Sequence, residues 1–221
     1  GKTIAYASNH GGHMDLYQKL ADGSGEEGLL FKSNADKYTT SWSRDGRFLL
    51  YMNLDPKTGQ DLWVLPLAGE RKPIPFLRTE FIERDARFSP DGRWIAYSSD
   101  ESGNDEVYVR PFVPGAAGGS ASGGKWLVSK GGGRVPLWRA DGKELYYLNS
   151  ASFDQMAVAV TAEKAFQAGV PRRLFVAPQI ISQPDVSADG TRFLFAAIGG
   201  PGASAQTPFI VVTNWQAALK K

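Results

Sequence analysis

RFSPDGRWIAYSSD, residues 87–100, is a turn feeding a strand, and SWSRDGRFLLYMN, residues 41–53, is a loose copy of it one repeat earlier. The Asp-Gly pair recurs with its glycine at Gly46, Gly92, Gly142 and Gly190, at separations of 46, 50 and 48 residues. That period belongs to propeller blades rather than to helical solenoids. The third residue after each glycine is Leu49, Ile95, Leu145 or Phe193, and the fifth is Tyr51, Tyr97, Tyr147 or Phe195. Residues two apart share one face of a strand, so each glycine launches a strand with a buried side. Gly1 fits the series 45 residues before the next copy, with Ile4 and Tyr6 in the same places. Three positions before each aspartate stand Trp42, Phe88, Trp138 and Val186, which read as the last inward side chain of a preceding strand. Each Asp-Gly is therefore a hairpin corner, in which aspartate bonds the backbone and glycine supplies positive φ.

A second hairpin follows in each copy, through SNHGGHMDLYQ, LDPKTGQDLWVLP, SDESGNDEVYVRP and SASFDQMAVAV, and a fourth strand at GLLFKS, KPIPFL, KWLVSK and RRLFVA. Four antiparallel strands per copy predict an all-β β-propeller in one domain, with a two-sheet sandwich as the alternative. The repeats fall near 1–41, 42–87, 88–137, 138–185 and 186–221. The register gives about five blades, of which the first lacks its inner strand and the last its outer one. The expectation is an arc of a larger ring, whose open blade edges invite self-association; a compact five-bladed ring is the other solution. A glycine-rich tip at 114–124 accounts for the longest spacing, and NWQAALKK reads as a short helical turn capped by Asn214.

Lysine and arginine number 25 against 23 acidic residues, a net charge of +2 that points to no nucleic-acid or membrane-surface partner. The absence of cysteine removes disulfides, thiolate metal sites and cysteine nucleophiles. No apolar run approaches the roughly 20 residues of a membrane helix. The N-terminus has no signal-peptide pattern, so an export signal would lie upstream.

The chemical motifs read as architecture. GSGEEG at 23–28 has dinucleotide-like glycine spacing, but no helix pattern follows, and Glu26 and Glu27 would repel a phosphate. GKT at 1–3 lacks the glycine-rich segment of a phosphate loop, and no cofactor is expected. His10 and His13, the two histidines, share a loop with Asp15; this donor set can converge on a metal. The same loop in the other copies has no histidine, however, and a polar glycine turn needs none. A serine–histidine–acid triad would have to recruit one of these histidines, and no G-x-S-x-G elbow occurs. Glu83 with Asp85, and Asp105 with Glu106, are paired acids of the kind used by glycosidases, but at such spacing they read as solvated. Kinase motifs are absent. The aromatic residues, Trp42 and Trp138 included, fall at repeat positions assigned to the core, and no residue is assigned a catalytic role.

The corner and strand pattern, closest over ARFSPDGRWIAYSSDESGNDEVYVRPF and supported by DLWVLPL and GKELYYL, resembles the TolB-like family of bacterial propellers, with their WD40-like PD40 repeat. It is most similar to the C-terminal propeller region of large bacterial proteins described as serine/threonine kinases with TolB-like repeats. WRADG at 138–142 and VSADG at 186–190 depart from the family pattern by lacking its proline. The resemblance implies a six- to eight-bladed parent ring on the periplasmic or extracellular side of a bacterial membrane, with further blades, and a kinase and membrane segment, upstream. From the residues, the function expected is a non-enzymatic scaffold that binds a protein or peptide through loops at one mouth, with basic Lys37, Arg84 and Arg134 around the central depression. The rival is an accessory or gating propeller of a hydrolase or peptidase, or a propeller that itself binds or hydrolyses a small molecule.

Overall fold

The computed structural model describes residues 1–115, 124–162, 165–178 and 183–196, together with the backbone strand 209–213. The tip at 116–123 and the proposed turn after Asn214 lie outside the described residues.

Five antiparallel sheets follow one another along the chain. The first contains β1 (Thr3–Ser8), β2 (Asp15–Leu20) and β3 (Gly28–Phe31). The second runs β4 (Lys37–Trp42), β5 (Phe48–Asp55), β6 (Gly59–Pro66), β7 (Ile74–Leu77), and the third β8 (Glu83–Phe88), β9 (Trp94–Ser99), β10 (Glu106–Pro111), β11 (Trp126–Leu127). The fourth holds β12 (Arg134–Trp138), β13 (Glu144–Leu148) and β14 (Asp154–Thr161), with both β15 (Gln167–Ala168) and β16 (Arg172–Val176) paired to β14. The fifth has β17 (Asp185–Val186), β18 (Arg192–Ala196) and β19 (Phe209–Thr213). Among the described residues the first sheet thus has no inner strand and the last no outer one, giving a partial propeller of about five blades.

The repeated apolar positions explain the stacking. Leu49 and Tyr51 pack with Leu16 and Leu30 of the first sheet, and Ile95 and Tyr97 with Leu50, Leu62 and Val64 of the second. Leu145 and Tyr147 pack on Ala96 and Val107, and Phe193 and Phe195 on Leu137 and Tyr146. The odd positions of each second strand therefore face the preceding sheet and the even positions the following one. Each aliphatic side chain withdrawn from water in this way contributes about 1.5–3 kcal/mol. The pattern has two uncovered ends: Ile4, equivalent to Leu49, is 53% exposed, and Leu194, equivalent to Leu50, is 42% exposed. Trp42 and Trp138 are only half-buried beside the cores; fully buried Tyr51, Tyr97 and Tyr147 hold the central positions instead.

The corners are built alike. Asp45 Oδ1 accepts the Ser43 hydroxyl at 2.7 Å and the Arg47 amide at 3.0 Å, while Ser43 Oγ accepts the Phe48 amide at 2.9 Å. Ser89–Asp91 and Ser187–Asp189 repeat this set. At the remaining corner Arg139 replaces the serine and grips Asp141 through two bonds of 2.7 and 2.8 Å. Gly46, Gly92, Gly142 and Gly190 lie at φ between 71° and 75°, which explains the invariant glycine.

These bonds favour the ionised carboxylates. Asp45, chiefly through the Arg47 amide, Asp141, through Arg139, and Asp189, through Ser187, are each lowered from 3.8 to about 2. Because the folded values are depressed, their stabilisation is complete above the unfolded value and is lost as pH falls through the folded one. The thermal midpoint is expected to drop between pH 4 and about 2, and Asp45→Asn to shrink that drop.

Candidate functional site

The inner strands β4, β8 and β12, with β17 and the segment before it, bring residues of four sheets around one central hollow, the channel, lined by Ser41, Arg87, Leu137 and Asp185 among others. All three inner strands are irregular: β4 shifts register between Thr39 and Ser41, and more widely β8 shifts between Arg84 and Arg87 and β12 between Arg134 and Leu137. Within those bulges Asp85 (φ 56°) and Val135 (φ 54°) occupy the left-handed region. Side chains other than glycine pay about 1–3 kcal/mol there, and a β-branched valine is a true outlier. A fully buried hydroxyl holds both in place: Ser98 Oγ donates to Asp85 Oδ2 at 3.4 Å and accepts the Val135 amide at 3.2 Å. Gln183 then bridges the channel, donating to Asp85 Oδ1 at 3.1 Å and accepting from Arg87 Nη2 at 2.9 Å. Trp138 Nε1 donates to the Arg87 carbonyl at 3.3 Å, and the Phe88 amide to Ser41 Oγ at 3.2 Å. Burial lowers the Arg87 guanidinium, with Asp185 and Asp85 opposing the shift.

At the mouth where the inner strands begin, the three predicted cations behave differently. Arg84 Nη2 meets Asp105 Oδ2 at 2.5 Å, and Arg134 Nε approaches the same oxygen at 3.9 Å. Two guanidinium groups, both solvent-accessible, thus share one carboxylate. Lys37 is fully buried instead, its ammonium 2.9 Å from Asp15 and donating to the carbonyls of Ala35 and Ser33, so it presents no charge to a partner. The loop sequence alone could not show that its side chain turns into the seam between sheets.

The histidine loop does not gather a donor set. His10 Nδ1 lies 3.0 Å from Glu27, whose other oxygen accepts the Tyr6 hydroxyl; His13 Nδ1 lies 3.3 Å from Asp36; Asp15 is committed to Lys37. Among the described residues no group of three metal-ligating side chains converges.

The four acids expected in solvent are all engaged. Asp105 and Asp85 belong to the mouth and channel, and Glu106 is buried against the Ser129 hydroxyl and, at 2.9 Å, the Gly132 amide. Glu83 is buried at the position equivalent to Lys37, and Asp61 at that of Asp15. The seam between the second and third sheets therefore holds two acids where its neighbour holds a fully buried ion pair, and the half-exposed Arg78 stands 3.8 Å from Asp61 Oδ2. Thr58 donates to one oxygen of Asp61 and Thr79 to one of Glu83, while Asp61 Oδ1 and Glu83 Oε2 have no partner. Burial pushes Glu83 from 4.5 up to about 7, against the Thr79 bond and with help from Asp61, Glu101 and Asp100; burial also raises Asp61.

No protein-family model matches the chain, and neither does any curated protein. Solved structures do. TolB from Acinetobacter baumannii is 20% identical with a TM-score of 0.69, over 90% of this chain and 47% of that one. The nidogen/laminin complex matches at 10% identity and a TM-score of 0.62, over 89% and 68%. A puromycin-hydrolyzing peptidase from Mycobacterium tuberculosis matches at 14% and 0.58, over 88% and 32%.

Two outcomes test the buried charges. Lys37→Met should cost about 3–5 kcal/mol in denaturant unfolding by stranding Asp15, and adding Asp15→Leu should recover much of it. A folded Glu83 raised above its unfolded value keeps a proton that the unfolded chain releases, so stability falls as pH rises from 4.5 to about 7. Glu83→Gln should remove that loss, gaining on the order of 2 kcal/mol at pH 8 and little at pH 4. The chain spans about half the length of the Acinetobacter TolB, and the likeness establishes its TolB-like β-propeller fold.

Proposed function

We propose that the chain is a non-enzymatic binding scaffold whose channel mouth at Arg84 and Arg134 receives an acidic segment of a protein or peptide partner. The observation that carries this reading is the sharing of one carboxylate, Asp105, by two accessible guanidinium groups above a strained, polar channel. Bulges and left-handed residues concentrate where a scaffold presents side chains to a ligand. Guanidinium groups at a mouth attract carboxylates and speed their encounter. In keeping with the TolB-like resemblance, the propeller would work on the periplasmic or extracellular side of a bacterial membrane, as the sensing or interaction region of a larger protein. The uncovered sheet faces at Ile4 and Leu194 would favour self-association of the isolated chain.

A glutamate-rich peptide titrated into the protein is expected to bind with an affinity that falls with salt. Neutralising Arg84 and Arg134 to glutamine should weaken it by about tenfold at an unchanged thermal midpoint. Unaltered affinity would refute the site. Ester or peptide hydrolysis abolished by His10→Ala or His13→Ala would replace the scaffold with a hydrolase.

A further inference from the structure

The opposite face carries a second feature, built from the corners themselves. We propose that it is a groove for an extended peptide segment alternating acidic and apolar side chains, centred on Pro90 and distinct from the mouth at Arg84 and Arg134. β8 and β12 begin at that mouth and end at the corners, so the two sites lie at opposite ends of the same strands.

Three hollows meet at Arg44 and Pro90. A cleft of about 450 Å3 between the third and fourth sheets is walled by Trp94, Trp138, Val160 and Ala162. Its volume falls within the roughly 300–1,000 Å3 of ligand sites. A second hollow of about 200 Å3 leads inward to Arg87 and Asp185 at the channel, and a third of about 240 Å3 separates the second and third corners. Together they run from the second corner across the third to the fourth, joined at Arg44 and Pro90.

The charges along this path are uneven for a structural reason. The three corner aspartates along this path are each closed off by a cation of their own corner: Asp45 by Arg47 at 2.6 Å, Asp91 by Arg93 at 2.7 Å and Asp141 by Arg139 at 2.7 Å. Arg44 stands where the other corners have Pro90, Ala140 and Ala188, so the turn asks nothing of that side chain. Lys143 stands where Arg47 and Arg93 bind their aspartates, but Arg139 has already taken Asp141. Arg44 and Lys143 are exposed and make no ion pair among the described residues. The groove therefore pairs two cations released from corner duty with an aromatic wall. That wall is rigid: Trp138 is tied through Nε1 to the Arg87 carbonyl and lies edge-on to Phe166 at 6.3 Å. A preorganised tryptophan loses little freedom on binding and is a frequent anchor.

The same inventory selects the occupant. With Asp45, Asp91 and Asp141 paired to their own arginines, the path offers two separated free cations among the described residues rather than the continuous cationic stripe that a phosphate backbone needs, which disfavours nucleic acid. Spaced carboxylates can meet Arg44 and Lys143 while intervening side chains enter the tryptophan-walled cleft, as the alternation of an extended chain allows.

A fluorescein-labelled peptide alternating glutamate with leucine tests this by anisotropy, with indole resonances of the protein followed in parallel. Saturable, salt-sensitive binding that shifts the Trp138 indole signal is expected. Arg44→Glu with Lys143→Glu should weaken it at least about tenfold at an unchanged thermal midpoint, while neutralising Arg84 and Arg134 leaves it intact. The proposal is overturned by no binding, by equal affinity for a lysine–leucine peptide, or by indifference to the corner variant. Sensitivity only to Arg84 and Arg134 would also overturn it and assign the peptide to the other mouth.

Discussion

Every internal sheet in this chain is apolar on both faces, and no sheet can bury two faces without two neighbours. That constraint sets the architecture. A sandwich would cover one face of each sheet and leave residues such as Leu50 or Val64 in water; radial stacking covers both. The odd and even positions of the second strands are assigned to different seams by the pleat alone, which is why Leu49 and Leu50, adjacent in sequence, belong to different cores. The uncovered Ile4 and Leu194 show the same rule at its boundaries, since they keep the apolar character of their equivalents without a sheet to face.

Seams of this kind leave few places for polar groups, and most of those present sit at or near the ends of strands. Asp15 and Glu106 begin β2 and β10, Asp61 is the third residue of β6 and Gln155 the second of β14, and all four are buried. Each seam satisfies its polar residue differently: a lysine for Asp15, hydroxyls from Thr58 and Thr79 around Asp61 and Glu83, a hydroxyl and an amide for Glu106, and the Tyr147 carbonyl for Gln155. An ion pair at full burial requires both partners, whereas two carboxylates at full burial require a proton. The fold is thus common to all seams, while their response to pH is not.

The corners, the strand periodicity and the missing strands were legible because they depend on local rules: a left-handed glycine, a capping aspartate and a period of two. Even the loss of proline and serine in WRADG leaves the corner intact, as Arg139 substitutes for the serine. What the chain does at its mouths was less legible. Lys37 and Arg84 sit at adjacent positions of equivalent strands, and pleat alternation alone sends one into a seam and the other toward the channel. Counting the repeat through the third strands would have revealed three of the buried acids, since Asp15, Asp61 and Glu106 are separated by 46 and 45 residues. No local pattern announces Ser98 as the link between two bulges, because its partners lie 13 and 37 residues away.

Repetition also shows where function can reside. A residue type that recurs at every corner is fixed by the turn and can say little about a ligand. Departures from the repeat carry the information: two bulges where a third inner strand shifts by less, one arginine where other corners have proline or alanine, one glutamate where the previous seam has lysine. Several of these departures have a structural cost, in strained backbone at Asp85 and Val135 and in unpartnered oxygens at Asp61 and Glu83. A regular propeller could be built without any of them. These departures fall at the corners, in the bulges of the inner strands and at one polar seam, while the apolar packing of the sheets stays regular.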